Sequence, residues 1–168
     1  MINLTQDLKL IKILPNFLTI LNGFCGILAI LAISLNFLTQ FQILCLVLLG
    51  AILDFLDGYI ANIFNVRSKI GAQLDSFSDL ITFSIVPSFF IFHFLQNKTV
   101  ELEFLPFLTL IIIPFSMFRL ARFNTLPSRS YFNGLPTPAN GIFLMGIPFI
   151  SFEISSKLLI LILILSCF

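Results

Sequence analysis

Charge is what this chain has least of: aspartate, glutamate, lysine and arginine make up 10% of its 168 residues, against 58% hydrophobic residues. A soluble globular domain carries about a quarter of its residues charged, so that class is excluded, and a mean hydropathy of +1.09 indicates a polytopic membrane protein. There is one histidine, His93, which lies at the far end of its apolar run from the acidic residues and reads as an interfacial polar group rather than a ligand. The three cysteines, Cys25, Cys45 and Cys167, are odd in number and set in apolar runs. They offer neither a disulfide framework nor a metal cluster and read as small packing hydrophobes. A net charge of +1 gives nucleic-acid binding no support. Internal repeats are absent too, which argues against a transporter built from two related halves.

What is abundant is apolar sequence in runs near the length that crosses a bilayer, about 20 helical residues. After a mixed polar lead-in at 1–12 with Lys9 and Lys12, the first run covers 13–35. It exceeds the 7 to 15 residues of a signal-peptide core and no A-x-A site closes it, so it reads as a retained helix. Thr19 and Asn22 are three apart on it and share a face, either for interhelical hydrogen bonding or as the polar wall of a cavity. A polar turn at 36–42 leads to a second span, 42–64. The third span, 70–95, contains Pro87, which is expected to kink it. Asn97-Lys98-Thr99 matches a glycosylation sequon, a triplet common by chance. The fourth span, 104–118, runs into Arg119 and Arg122 and then a loop to 138 with Arg129, Tyr131 and the turn-forming Asn133-Gly134. A fifth span covers 139–152. The final run, 157–168, is only about 18 Å of helix against a core of about 30 Å, so it reads as an incomplete span, a truncated end or the edge of a larger bundle. The expected fold is all-α: one domain over 1–168, a polytopic integral membrane bundle of about six transmembrane helices.

Against that background, residues 54–79 stand out, holding four of the eight acidic residues. An aspartate near a membrane centre costs about 2.5 to 3.5 kcal/mol on insertion scales, so four of them require a reason. Asp54 and Asp57 are three apart, and Asp75 and Asp79 four apart, so on helices each pair projects from one face. Two facing helices bring four carboxylates together, and hard divalent ions with oxygen ligands, Mg²⁺ or Mn²⁺, relieve the repulsion. Four carboxylates match the charge of two such ions. Gly58, Ala61 and Gly71, spaced around the aspartates, leave room for a bulky ligand. Placing the N-terminus in the cytoplasm puts Lys9, Lys12, Arg67, Lys69, Arg119, Arg122 and Arg129 on that side and leaves Lys98 and Lys157 outside, in keeping with the positive-inside bias. The acidic cluster then meets Arg119 and Arg122 at the cytoplasmic face. That arginine pair serves either as a membrane anchor or as a bidentate clamp for phosphate or carboxylate.

Written out, the stretch reads D54-x2-D57-G58-x2-A61-N62-x8-G71-x3-D75-x3-D79. This resembles the signature of the CDP-alcohol phosphotransferases, integral membrane enzymes that move a phosphatidyl-type group from a CDP-linked donor to an alcohol. Each acidic and glycine position is matched, while Asn62 stands where the family usually has arginine. LPNFLTILNGFCGILAI at 14–30, FRLARFN at 118–124 and FNGLPTP at 132–138 look like the phosphatidylserine synthase branch. The resemblance covers about 13–146.

It implies a multi-pass protein of the cell inner membrane, expected as a homodimer, that joins CDP-diacylglycerol to L-serine. Asp54, Asp57, Asp75 and Asp79 would hold Mg²⁺ or Mn²⁺, two ions in all. Asp54, Gly58, Ala61, Gly71 and Asp75 would bind the CDP-lipid. Asp79 would be the catalytic general base, and Arg119 and Arg122 would hold phosphate or the serine carboxylate. Another acceptor, such as glycerol phosphate, inositol phosphate or choline, is the alternative within the family. A divalent-cation transporter is the alternative outside it.

Overall fold

The computed structural model describes residues 4–66, 68–96, 104–125 and 136–150, and every regular element among them is helical. Helix α1 runs Leu4–Leu35 and α2 Gln40–Ile63. Helix α3, Lys69–Leu80, continues through a π-helical turn at Ile81–Ile85 into α4, Val86–Gln96. The short α5, Leu105–Leu108, and a 3₁₀ turn at Thr109–Ile111 lead into α6, Ile112–Thr125, and α7 is Thr137–Ile150. Four stretches are long and apolar enough to cross a membrane: Ile13–Leu35, Gln40–Ile63, Lys69–Gln96 and Leu105–Thr125. The chain is thus an all-α integral membrane protein, and α7 lies where a fifth span is expected. The run at 157–168, the sequon at 97–99, and Arg129, Tyr131 and Asn133-Gly134 lie outside the described residues.

Local chemistry explains where the helices stop and start. Asn36 and Asn65, just beyond α1 and α2, adopt left-handed backbone with φ of 52° and 54°, a conformation that asparagine tolerates better than most residues. Helix α2 then opens on a capping box: the Thr39 hydroxyl accepts from the Gln42 amide at 3.3 Å, and the Gln42 side chain accepts from the Thr39 amide at 2.9 Å. Ser68 caps α3 by accepting from the Gly71 amide at 2.9 Å. Pro87, expected from sequence to disturb the span, follows closely on the π-helical turn. A proline lacks the amide proton and crowds the carbonyl four residues earlier, and here the helix widens just before it, with the Val86 amide bonding the carbonyl of Ile81 five residues back. The fourth span differs as well, because α6 continues to Thr125 and keeps Arg119 and Arg122 within the helix.

Large apolar side chains cover the outside, as a lipid solvent demands, while the interior mixes apolar and polar groups. Phe55, Ile70 and Phe118 are among the most exposed side chains, while Asn22, Thr82, Ser84, Ser88 and Thr109 are fully buried. Without a hydrophobic drive between helices in lipid, close backbone approach and interhelical hydrogen bonds carry association. The Thr82 hydroxyl donates to the Asn22 carbonyl at 3.0 Å. A Cβ added at Gly26 would meet the Cα of Thr82 at 3.0 Å, so glycine is what lets α1 lie against the π-helical turn. Gly141 does the same for α7, since a Cβ there would lie 2.6 Å from the Phe83 carbonyl oxygen. Apolar clusters around Val47, Phe83 and Met145, and around Ile91, Leu105 and Leu144, fill the space between.

Candidate active site

The long α1 packs along both α2 and α3, and this places the two acidic pairs against each other. One carboxylate oxygen from each of Asp54, Asp57 and Asp75 lies within 4.8 Å of the others. Two oxygens on opposite sides of one Mg²⁺ stand at most about 4.2 Å apart, from a metal–oxygen distance of 2.0–2.1 Å, so small side-chain rotations would bring this trio onto one ion. Like charges at such separations repel by on the order of 3 kcal/mol per pair at an effective dielectric constant of 20. The donor set is all oxygen, which suits a hard divalent cation. Asp79 is outside the trio but adjoins Asp54. It is buried, and its Oδ1 has no hydrogen-bond partner.

Two cavities meet at this cluster. The first, about 350 Å³, is lined by all four aspartates, with Ser76, Arg119 and Thr137 also on its walls. The second, about 330 Å³, is lined by Asn16, Thr19, Ala61, Ser68 and Gly71. Asp57, Gly58, Asp75 and Phe123 belong to both and form the partition between them. Each is within the size range of small-molecule sites, about 300 to 1,000 Å³. A Cβ added at Gly58 would find nothing within 4 Å. At Gly71 it would meet Asn16 Oδ1 at 2.9 Å, so the glycine admits that side chain from α1.

The cationic wall comes from α6. The Arg119 guanidinium donates to the Thr137 hydroxyl at the start of α7, at 2.8 Å, and Asn124 donates to Ser76 at 2.9 Å, tying the end of α6 to α3. Arg122 is exposed and lines neither cavity. Asn62 is also exposed and off both walls, although Ala61 beside it lines the second cavity. His93 lines neither. Of the pair sharing a face of α1, Thr19 both lines a cavity and donates to Asp57 Oδ2, whereas Asn22 is buried beside Gly50 and Thr82. Asn16, Ser68 and Ser76 are cavity residues that no charge pattern singles out. Helical periodicity offers a signal for Asn16 alone, which is three before Thr19.

The described helices thus gather a carboxylate cluster and Arg119 on the wall of one cavity. Residues 12–168 match the profile of the CDP-alcohol phosphatidyltransferase family, and the chain belongs to that family. It is similar to proteins named CDP-diacylglycerol–serine O-phosphatidyltransferase from three organisms. That of Methanocaldococcus jannaschii is 32% identical over 140 residues, covering 83% of this chain and 62% of the relative. That of Bacillus subtilis is 36% identical over 141 residues, covering 81% and 75%. That of Saccharomyces cerevisiae is 32% identical over 151 residues, covering 81% and 53%. The chain therefore spans from about half to three quarters of the length of these curated relatives.

Proposed function

We propose that this chain transfers the phosphatidyl group of CDP-diacylglycerol to the hydroxyl of L-serine, giving phosphatidylserine and CMP. The observation that carries the reading is the convergence of Asp54, Asp57, Asp75 and Asp79 with Arg119 on one cavity. Family membership and the names of the relatives support it. The protein acts as a multi-pass homodimer of the cell inner membrane, with the cleft at the cytoplasmic face, where seven of the nine lysines and arginines fall by the positive-inside count.

Phosphoryl transfer asks a protein chiefly for positioning and charge neutralisation. Asp54, Asp57, Asp75 and Asp79 are the residues that would hold Mg²⁺ or Mn²⁺, two ions in all. Such ions supply neutralisation of the pyrophosphate and polarisation of the phosphorus. Asp54, Gly58, Ala61, Gly71 and Asp75 receive the CDP head group, with the acyl chains in lipid. Asp79, whose Oδ1 is without a protein partner, accepts the proton of the serine hydroxyl. The serine oxygen forms its bond to the lipid-side phosphorus as the bond from that phosphorus to the CMP oxygen breaks. Arg119, held by Thr137, binds the serine carboxylate or the lipid phosphate. Arg122, farther out on the same helix, draws anions toward the cleft.

The test gives purified protein CDP-diacylglycerol and a panel of labelled alcohols, with and without chelator. CMP release that requires both serine and a divalent metal is the expected result; release driven by another alcohol instead would reassign the acceptor. Asp79→Asn is expected to lower turnover about 100-fold or more, the usual worth of a general base. Near-normal turnover in that variant would remove Asp79 from the role.

A further inference from the structure

We propose that Thr19 is a positioning residue for the carboxylate cluster, reaching from α1 to hold Asp57 and so fixing one side of the cation site. The inference rests on the metal-dependent reading above and adds a third helix to a site otherwise built from α2 and α3. Thr19 and Asp57 are 38 residues apart in sequence and both are buried, 3% and 5% exposed. The Thr19 hydroxyl is in hydrogen-bonding contact with Asp57 Oδ2 and lies 2.9 Å from the Pro15 carbonyl oxygen one turn earlier in α1.

That second contact explains why the geometry is easily held. A helical threonine commonly turns its hydroxyl toward the carbonyl four residues back, and here this ordinary rotamer also meets Asp57. The hydroxyl has one proton, and of its two acceptors the ionised carboxylate forms the stronger, charge-assisted bond. With Oδ2 anchored to α1, Asp57 cannot rotate freely away from Asp54 and Asp75, whose oxygens it approaches within 4.8 Å. Partners that orient metal-ligating side chains are worth about 10- to 100-fold in metal affinity.

The experiment measures Mn²⁺ binding by electron paramagnetic resonance on detergent-purified protein without substrates, for the wild type and for Thr19→Val, Thr19→Ala and Thr19→Ser. Valine keeps the branched shape and removes the proton, and alanine repeats the deletion if valine does not fold. Both are expected to weaken Mn²⁺ binding about 10- to 100-fold, while serine, which keeps the hydroxyl, stays close to wild type. Equal Mn²⁺ affinity in wild type, Thr19→Val and Thr19→Ala would overturn the role of Thr19 and leave the proposed function standing. A serine variant as weak as valine would show that the hydroxyl alone does not hold the site and would also overturn it. A wild type that binds no Mn²⁺ would bring down the cation site itself, an outcome told apart because no substitution is involved.

Discussion

Gly58→Ala separates stability from activity at a single methyl group. Gly58 lies inside α2, where glycine costs about 0.5 to 1 kcal/mol relative to alanine. A Cβ there would find nothing within 4 Å, so the substitution meets no steric penalty and should stabilise the fold by about that amount. At about 2 to 4 °C per kcal/mol for a protein of this size, the melting midpoint rises by a few degrees or less. The open space around Gly58 is the partition shared by both cavities, so the new methyl projects where the donor's head group is proposed to pass. A displacement of about 1 Å there is worth on the order of 100-fold in turnover. Melting is followed by far-ultraviolet circular dichroism, since the chain has no tryptophan, and turnover by CMP release in the same detergent. A variant that is more stable and nearly inactive is expected. Turnover close to wild type would refute the placement of the donor across Gly58, and a lower melting point would refute the open geometry.

Gly141→Ala should do the reverse. Its Cβ would press on Phe83 backbone atoms at 2.6 and 2.8 Å, which cannot swing aside, so a loss of about 1 to 3 kcal/mol is expected, with turnover per folded molecule preserved; an unchanged melting point would contradict the close packing of α7 on the π-helical turn. Arg119→Lys keeps the charge but loses the fork that reaches Thr137, and kcat/KM for serine or donor should fall about 10- to 100-fold, as for a hydrogen bond to a charged group of about 1.5 to 3 kcal/mol. Arg122→Lys should change far less, and equal effects of the two would argue for simple membrane anchoring. Asn62→Arg restores the cation usual at that family position and is expected to tighten donor binding in a KM series; no change would mean that the chain draws its positive charge from elsewhere.

The acidic pairs were legible in the sequence because charge in an apolar context is conspicuous and because spacings of three and four select one helix face. Periodicity alone could not decide between Arg119 and Arg122. Three residues turn a helix through about 300°, leaving the two side chains about 60° apart, and only the packing of α6 on α3, with the Arg119 bond to Thr137 at the start of α7, puts Arg119 on the cavity wall. The bond from Thr19 to Asp57 links positions 38 apart, and no local pattern announces such a contact. The widened turn before Pro87 was partly legible: proline signals a disturbance, but whether a helix bends or widens depends on what it packs against. Here Gly26 and Gly141 bring α1 and α7 hard against that turn.

Charge accounting at the cleft ties these features together. Among the described residues lining the first cavity, four aspartates oppose one arginine, a formal charge of −3, and the donor's pyrophosphate adds further negative charge. Asn62 supplies none of the positive charge that the family's usual arginine would bring, and Arg122 stands off the wall. A cleft so arranged would repel its own substrate unless divalent cations came with it. Two such ions would reverse the sign of the cavity and make it receptive to phosphate. On the proposed function, metal binding is therefore expected to be a condition for donor binding, before any contribution to the chemical step, with the geometry of the carboxylates governing both.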